Sequence, residues 1–357
     1  MGGTLKVAVV GCGIGRQHLD AYRSLPELFE VAAVCDVDET KAREVAAAYG
    51  IGRVVTDVAA LCQEDDLDLV DLCTPPYLHA PQVIQVLEAG KHVICEKPLC
   101  GSLEDADRLA AAEIRSGRRV MPIFQYRFGH GIQKLRLLVE QGIAGRAYLT
   151  TVETAWRRRP AYYAVPWRSR WATELGGPLV NLAIHAHDLV YYLLGPARSV
   201  SAHLTTLVNP IETEDCLAAS MEMADGSLCT LAATTGSTRE ISRHRFCFAS
   251  LSAESNTEPY RNTHDPWTFK GDTPEVDGLL QQALAAFVPE LEGYAGQFAR
   301  YHRALRSGAE LPVTLADARA SIELITAIYH SARTRAPVRL PLEAGHPLYR
   351  GWQPSEV

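Results

Sequence analysis

The sequence lacks most of what a secreted, membrane-bound or nucleic-acid-binding chain needs. Its nine cysteines are an odd number and contain no C-x-x-C pair. Cys12, Cys35, Cys73, Cys95 and Cys229 sit in apolar runs rather than at loop spacings. That pattern suits reduced thiols packed as small hydrophobes in a cytoplasm, not a disulfide framework. No apolar run is long and unbroken enough to span a bilayer. The opening Met1-Gly2-Gly3-Thr4-Leu5-Lys6 leads straight into a strand-like segment, so no secretion signal is expected. Basic charge is not in excess: 35 Lys and Arg against 42 Asp and Glu give a net charge of -7. A general drive toward nucleic acid or anionic membrane is therefore missing. Internal repeats and low-complexity tracts are absent as well. What remains is 357 residues, 47% hydrophobic and 22% charged, the composition of a globular protein of about two domains.

The first third alternates between two periods. Short β-branched runs at Leu5–Val10, Val31–Cys35, Leu69–Cys73, His92–Cys95 and Val120–Phe124 are separated by helical spacing at Thr40–Tyr49, Leu78–Glu88 and Leu103–Ser116. Gly50, Gly90 and Gly117 follow helical stretches, where a left-handed C-cap is wanted. Such βαβ units predict a doubly wound parallel sheet of about six strands, with both faces covered by helices. After Phe124 the rhythm changes. A helix over Gly131–Gln141 precedes longer strands at Ala147–Ala155, Ser199–Val208, Leu217–Met223 and Leu228–Thr234, which predict a mostly antiparallel sheet. Residues 250–278 are polar and irregular and read as a long loop or hairpin. Helices over Leu279–Ser307 and Leu315–Ala332 and a strand at Val338–Leu340 complete the reading. The fold class is thus α/β: an N-terminal Rossmann domain over residues 1–122, then an α+β domain with a large open sheet over residues 123–357.

The first strand ends in Gly11-Cys12-Gly13-Ile14-Gly15-Arg16-Gln17-His18. Glycines there let the chain turn tightly and bring backbone N–H groups and a helix N-terminus onto a diphosphate. The loop reads G-x-G-x-G, one residue short of the usual G-x-G-x-x-G. Its context supplies the rest, because Asp36 closes the second strand about 20 residues on. A carboxylate there accepts hydrogen bonds from the ribose hydroxyls of NAD and repels the 2′-phosphate of NADP. Asp36 also reads as a helix N-cap, a role for which Asp38 is an equal candidate.

Thr74-Pro75 with His79, and Gly90-Lys91-His92-Val93 running into Glu96-Lys97-Pro98, lie at the carboxyl edge of the expected sheet, where ligands of open α/β folds bind. Together with the glycine loop they resemble the Gfo/Idh/MocA oxidoreductase family, named in part for glucose–fructose oxidoreductase and inositol 2-dehydrogenase. The resemblance continues through Gln125-Tyr126-Arg127-Phe128 and through Gly176-Gly177-Pro178-Leu179-Val180-Asn181 to His185, His187 and Asp188. It includes Leu311-Pro312-Val313-Thr314 and Val338-Arg339-Leu340-Pro341, and covers nearly the whole chain.

What the resemblance implies is specific. Lys97 and His185 flank the reacting carbon as the catalytic pair. NAD is held by Gly11, Cys12, Gly13, Ile14, Gly15, Asp36, Thr74, Pro75, His79, Glu96, Lys97, Gln125, Trp167 and Arg168. Substrate, a sugar or cyclitol, meets Lys97, Arg127, Arg157, Tyr163, Asn181 and His185; no metal is implied. Many members carry Asp where this chain has Asn181, so a three-member relay is in doubt here. Oxidising a secondary alcohol requires a group that takes the hydroxyl proton near operating pH, a task suited to His or to a Lys lowered by neighbouring charge. An isolated His185 also reads as a core histidine. The Gly-Gly entry and the four-residue spacing from Asn181 favour a shared face directed at a ligand. His187 reads as structural, and Asp188 either orients His185 or caps a turn. The cluster of Trp156, Arg157, Arg158, Arg159, Tyr162, Tyr163, Trp167, Arg168, Arg170 and Trp171 reads as a basic surface loop, as single-stranded nucleic-acid contacts, which the acidic net charge and the enzyme motifs argue against, or, through the resemblance, as the cover of the nicotinamide and substrate. The leading reading is an NAD-dependent dehydrogenase or reductase of a sugar, sugar acid or cyclitol, cytoplasmic, and a homodimer or homotetramer through the second-domain sheet. Tightly held NAD serving glycosidic cleavage or internal redox exchange, or a non-catalytic nucleotide-sensing regulator, are the alternatives.

Overall fold

A computed structural model of the chain describes residues 3–354. Six strands, β1 (Leu5–Val10), β2 (Phe29–Cys35), β3 (Val54–Val55), β4 (Leu69–Leu72), β5 (His92–Cys95) and β6 (Val120–Pro122), form one sheet in the order β3-β2-β1-β4-β5-β6. Every neighbouring pair is parallel. The chain builds outward from β1 on one side and then on the other, so the winding reverses between β1 and β4, the place where such sheets open toward a ligand. Asp38 and Ser102 accept hydrogen bonds from the first-turn amides of helices Glu39–Tyr49 and Leu103–Ser116, which end at Gly50 (φ 71°) and Gly117 (φ 64°). Asp38, not Asp36, is therefore the helix cap. The two-residue β3 was too short to show a period in the sequence.

This first compact unit comprises the chain up to Phe124 together with Gly293–Arg319. Helix Gly293–Ser307 completes its core from far down the sequence. Phe298 stacks on Tyr22 with ring centroids 4.5 Å apart. The Gln297 side chain donates to the Pro122 carbonyl at 2.8 Å and accepts from the Phe124 amide at 3.2 Å.

The second unit holds Gln125–Glu292 and the chain from Ala320 onward. Its sheet contains β7 (Ala147–Arg157), β8 (Ala197–Thr205), β9 (Cys216–Met223), β10 (Leu228–Thr234), β11 (Gly236–Phe248), β12 (Leu251–Glu254), β13 (Thr268–Gly271) and β14 (Val338–Arg339). They run in the order β13-β12-β11-β7-β10-β9-β8-β14, and only β7 and β10 pair in parallel. Ile132, Leu135 and Leu138 of helix His130–Glu140, with Leu189 of helix Ile184–Leu194, share one buried core with Phe246, Phe248 and Trp267.

Two features depart from the sequence reading, and a third settles an alternative it left open. Strand β11, the longest of the described strands, was not expected: its buried positions include Ser242 and His244 and its outward ones Arg243 and Arg245, which blurs the apolar alternation. Residues 250–278 contain β12 and β13, antiparallel to each other, so the polar segment carries a hairpin with a long connection. The single helix expected over Leu279–Ser307 is two, Pro274–Ala285 and Gly293–Ser307, with Pro289 in the break, where a missing N–H and a fixed φ end a helix. No described helix is long and apolar enough to cross a membrane, and all nine cysteines are free thiols.

A Cβ added at Gly131 would overlap the Trp267 indole. Gly131→Ala is expected to destabilise the protein by about 1–3 kcal/mol, the usual cost of overpacking a filled core. Urea denaturation of the two proteins checks this; an unchanged midpoint would show that Trp267 yields at no cost.

Candidate active site

In the first unit the glycine loop is shaped by contact with β4. Gly11 lies at φ 95°, its amide donates to the Cys35 carbonyl at 2.7 Å, and a Cβ there would overlap the Cys73 carbonyl. Only glycine meets both demands. Gly15 sits close against Val9, where a Cβ would lie 3.0 Å from Cγ1. Gly13 has open space around it, and Ile14 is exposed at the start of helix Gly15–Arg23, with no side-chain cap on its first turn. The Arg16 and Gln17 amides donate to the Gly13 and Ile14 carbonyls at 3.3 and 2.9 Å, and the positive end of the helix dipole is what suits a diphosphate here. The Cys12 amide donates to Asp36 Oδ2 at 2.8 Å, the Asp38 amide to Oδ1 at 3.1 Å, and Lys41 Nζ to Oδ2 at 2.9 Å. Burial works against the charged form of Asp36, but Lys41 and the two amides outweigh it and hold the carboxyl below its ordinary range. Lys41 escaped the sequence reading because it stands five residues on, one helical turn inside the next element.

Beneath the loop lies a charged cluster that the sequence reading missed. His18 is fully buried, with Nδ1 2.8 Å from Asp71 Oδ2 and Nε2 3.1 Å from Glu96 Oε1. Tyr22 Oη donates to Asp71 at 2.9 Å and Tyr294 Oη to Glu96 Oε1 at 2.9 Å. Burial disfavours a charged imidazole, yet the Asp71 carboxylate overrides it, aided by Cys73, and holds the His18 pKa well above its usual value. The available signal was Asp71 itself, a carboxylate inside an otherwise apolar strand.

The same cluster fixes the Glu96-Lys97-Pro98 turn. Glu96 Oε2 accepts the Lys97 amide at 3.1 Å. His79 is buried, with Nδ1 2.7 Å from the Pro98 carbonyl and Nε2 2.8 Å from the Thr74 carbonyl. Thr74 Oγ1 donates to Gln82 at 2.7 Å, and Pro75 leads into a short 3-10 turn at Pro76–Leu78. Glu96 and His79, expected to touch cofactor, thus act here as struts for the turn. Lys97 follows β5 half-buried at the carboxyl edge.

In the second unit His185 is buried, its ring stacked on Tyr126 at 4.3 Å and 13°. The expected one-face pairing with Asn181 is not formed by a regular helix. Helix Pro178–Asn181 and helix Ile184–Leu194 are separate, and the Ala183 amide bonds five residues back to the Pro178 carbonyl at 2.7 Å, a π-like turn that changes the register. Asn181 Nδ2 donates to the Gly176 carbonyl at 2.8 Å and the Gly177 carbonyl at 3.3 Å, so its amide ties the Gly-Gly turn. Arg127, expected to meet substrate, is buried and clamps Asp188 through Nε at 2.8 Å and Nη2 at 2.6 Å. His187 is fully buried, its pKa pushed down to about 3 by desolvation. Gln125 opens the 3-10 turn that carries Tyr126 and Arg127.

The basic and aromatic residues form a ladder. The Arg158 guanidinium lies 5.0 Å from the Trp156 and Tyr162 ring centroids, and Arg168 lies 3.9 Å from Tyr162 and 4.4 Å from Trp167. Arg168 Nη1 also pairs with Glu174 at 3.0 Å. Arg157 Nη1 donates to the Gly236 carbonyl at 3.0 Å, and Tyr163 Oη to Thr235 at 3.3 Å, which places both by the ends of β7 and β10.

Comparison with known proteins agrees with this architecture. Residues 5–124 match the model of an oxidoreductase family with an NAD-binding Rossmann fold, and residues 132–248 match the GFO/IDH/MocA C-terminal domain. The chain belongs to the Gfo/Idh/MocA oxidoreductase family. It is 29% identical over 365 residues to the D-glucoside 3-dehydrogenase of Escherichia coli (strain K12), covering 94% of this chain and 97% of that one. It is 30% identical over 232 residues to a 4-carboxy-2-hydroxymuconate-6-semialdehyde dehydrogenase of Sphingobium, covering 64% of this chain and 71% of the relative. Among solved structures it superimposes on the WlbA dehydrogenase of Bordetella pertussis in complex with NADH and UDP-GlcNAcA, with a TM-score of 0.84 and 29% identity over 95% of this chain and all of that one.

Removing the imidazole between Asp71 and Glu96 leaves two buried carboxylates without their shared cation. His18→Ala is expected to cost about 3–5 kcal/mol at pH 7, as for other broken buried pairs. Because the folded pKa of His18 is raised, its contribution is complete below the unfolded value of about 6.5, declines above it and is lost as pH rises through the folded value. Denaturation at pH 7 and at alkaline pH measures both effects, and a cost below about 1 kcal/mol at pH 7 would contradict them.

Proposed function

We propose that this chain is an NAD-dependent dehydrogenase or reductase that moves a hydride between nicotinamide and a secondary alcohol or ketone of a sugar, sugar acid or cyclitol. The observation that carries it is the carboxyl edge of one parallel sheet: the Gly11 turn, the Asp36 carboxylate, Thr74 and the braced Lys97 follow β1, β2, β4 and β5 in turn. The open Gly13, the uncapped first turn of helix Gly15–Arg23 and the buried, ionised Asp36 fit a dinucleotide. Bound NAD supplies the hydride acceptor at its nicotinamide. The protein's task is then the proton. In alcohol oxidation the neutral amine of Lys97 takes the hydroxyl proton, and in ketone reduction the ammonium returns it. A positive charge nearby lowers a lysine's proton affinity toward this range. His185, held flat against Tyr126, is the second proton carrier. Two partners expected of a longer relay are engaged elsewhere, since Asp188 clamps Arg127 and the Asn181 amide holds the Gly-Gly turn.

Asp36 favours NAD through its charge, while Lys41, half-exposed and 2.9 Å away, offsets part of that charge. The free thiols support a cytoplasmic setting. The outward face of β7, β9 and β10 carries Leu149, Ala218, Leu228 and Ala232 among Thr151, Glu153, Ser220 and Thr230, a mixed surface of the kind a homodimer or homotetramer can cover.

Screening sugars and cyclitols for NADH formation at 340 nm identifies the substrate. On that substrate Lys97→Ala is expected to lower kcat by about 10²–10⁴-fold with NAD affinity within a few-fold of wild type; undiminished turnover would remove Lys97 from the reaction. In the same assay Asp36→Ala is expected to narrow the NAD over NADP ratio of kcat/KM, and Lys41→Ala to widen it. A ratio indifferent to both would leave cofactor choice to other residues.

A further inference from the structure

The Gly176-Gly177 turn that leads into the His185 segment is held by a node of buried groups with no part in the chemistry above. Glu214 is buried at its centre. Its Oε1 accepts the amides of Gly177 at 3.0 Å and Leu179 at 3.2 Å, and its Oε2 accepts Tyr329 Oη at 2.9 Å. The carboxyl therefore caps helix Pro178–Asn181, whose N-cap Gly177 is followed directly by Pro178. Space around it is fully used: a Cβ on Gly177 would overlap the Glu214 carbonyl, and one on Gly176 would overlap Tyr329 Oη. Just before the turn Leu175 adopts φ 68°, a left-handed conformation that a bulky residue keeps only where its surroundings enforce it. Here the enforcement comes from Trp352, fully buried, whose Nε1 donates to the Leu175 carbonyl at 2.5 Å and whose ring stacks on Tyr329 at 5.8 Å.

We propose that Glu214 is a positioning residue: by gaining and losing a proton it sets the pose of the Gly176-Gly177 turn and, through it, of His185. This rests on the reading of His185 as a proton carrier. As a carboxylate, Glu214 accepts three donors at once. When protonated, it must itself donate, and the acceptor beside its Oε2 is Tyr329 Oη, which then releases its own hydrogen bond. That hydroxyl packs where a Gly176 side chain would be, so reversing the bond loosens the turn. The charged and titratable groups around the carboxyl are few. From helix Leu315–Thr334 come Tyr329 and Arg333; Arg333 donates to the Trp352 carbonyl and acts on Glu214 only at longer range. Asp215, next in the chain, is taken up by the amides of Leu207, Val208 and Asn209 at 2.7 Å each. Glu174, before the turn, pairs with Arg168. Desolvation therefore dominates and lifts the Glu214 pKa to about 7, with Tyr329 and the two amides pulling it back.

The ligand-free protein reports on the node directly, because Tyr329 lies against both Trp352 and Trp171, the latter at 5.4 Å. Near-ultraviolet circular dichroism and tryptophan emission, followed from pH 5.5 to 8.5, are expected to show an inflection near pH 7 that Glu214→Gln abolishes. Tyr329→Phe removes a donor that favours the ionised form, so its inflection moves up by about one pH unit, the worth of one charge-assisted hydrogen bond. This variant keeps the carboxyl and carries the test if Glu214→Gln does not fold. Histidine ring NMR, with His185 assigned through His185→Gln, is expected to show the same inflection at His185 and its loss in Glu214→Gln. The proposal is overturned if the spectra and the His185 signal titrate alike in wild type and both variants. That result would leave the His185 chemistry standing. Full turnover in His185→Gln would instead remove His185 from catalysis and leave the titration of the node untouched.

Discussion

Two carboxylates inside one apolar core require a cation, and the first unit is organised around that demand. Asp71 lies in the middle of the parallel sheet and Glu96 at the end of β5, and neither reaches bulk water. His18, on the helix that follows the glycine loop, lies between them. One imidazolium thereby joins three pieces of chain that bear function: the loop helix, the central strand and the turn that carries Lys97. A buried charge is expensive on its own and close to neutral when paired and hydrogen-bonded. The geometry of the loop and of the Lys97 turn is for this reason coupled rather than independently adjustable. His79 lies between the same pieces of backbone, its two ring nitrogens 2.7 and 2.8 Å from the Pro98 and Thr74 carbonyls.

The second unit reaches a similar end with different means. Its bidentate Arg127–Asp188 pair fixes the 3-10 turn bearing Tyr126 to the helix bearing His185, so the stacked ring pair is held from below by an ion pair. The left-handed Leu175, the Gly176-Gly177 turn and the π-like turn at Ala183 concentrate unusual backbone in the ten residues before His185. Irregularity of this kind survives where neighbours over-determine it, and it clusters at functional positions.

The regular elements were legible because their signals are local. Short apolar runs marked β1, β4 and β5 closely, and Leu103–Ser116 matched residue for residue. Motif positions such as Gly11 and Asp36 were legible because few residues fulfil those geometric roles. What escaped depends on long-range partners. Nothing near residue 297 announces that its amide completes the core beside Phe124. Arg127 and Asp188 stand 61 residues apart, and alone Arg127 reads as a group awaiting substrate and Asp188 as an orienter of His185 or a turn cap. Spacing arguments failed at Asn181 and His185 for the same reason, since a single i−5 bond alters the helical register that the count assumes. Strand β11 was hidden by a partly polar buried face.

Nucleotide binding rests on the carboxyl edge of the six-stranded sheet, where Gly11 packs against the Cys73 carbonyl and Asp36 holds the loop amide. Calorimetric titration of NADH into wild type and Gly11→Ala, with folding monitored by circular dichroism, tests it most directly. Saturable one-to-one binding by wild type, lost in a folded Gly11→Ala protein, is the predicted result. Wild type that binds no NADH, or a variant that binds it equally well, would contradict the central claim.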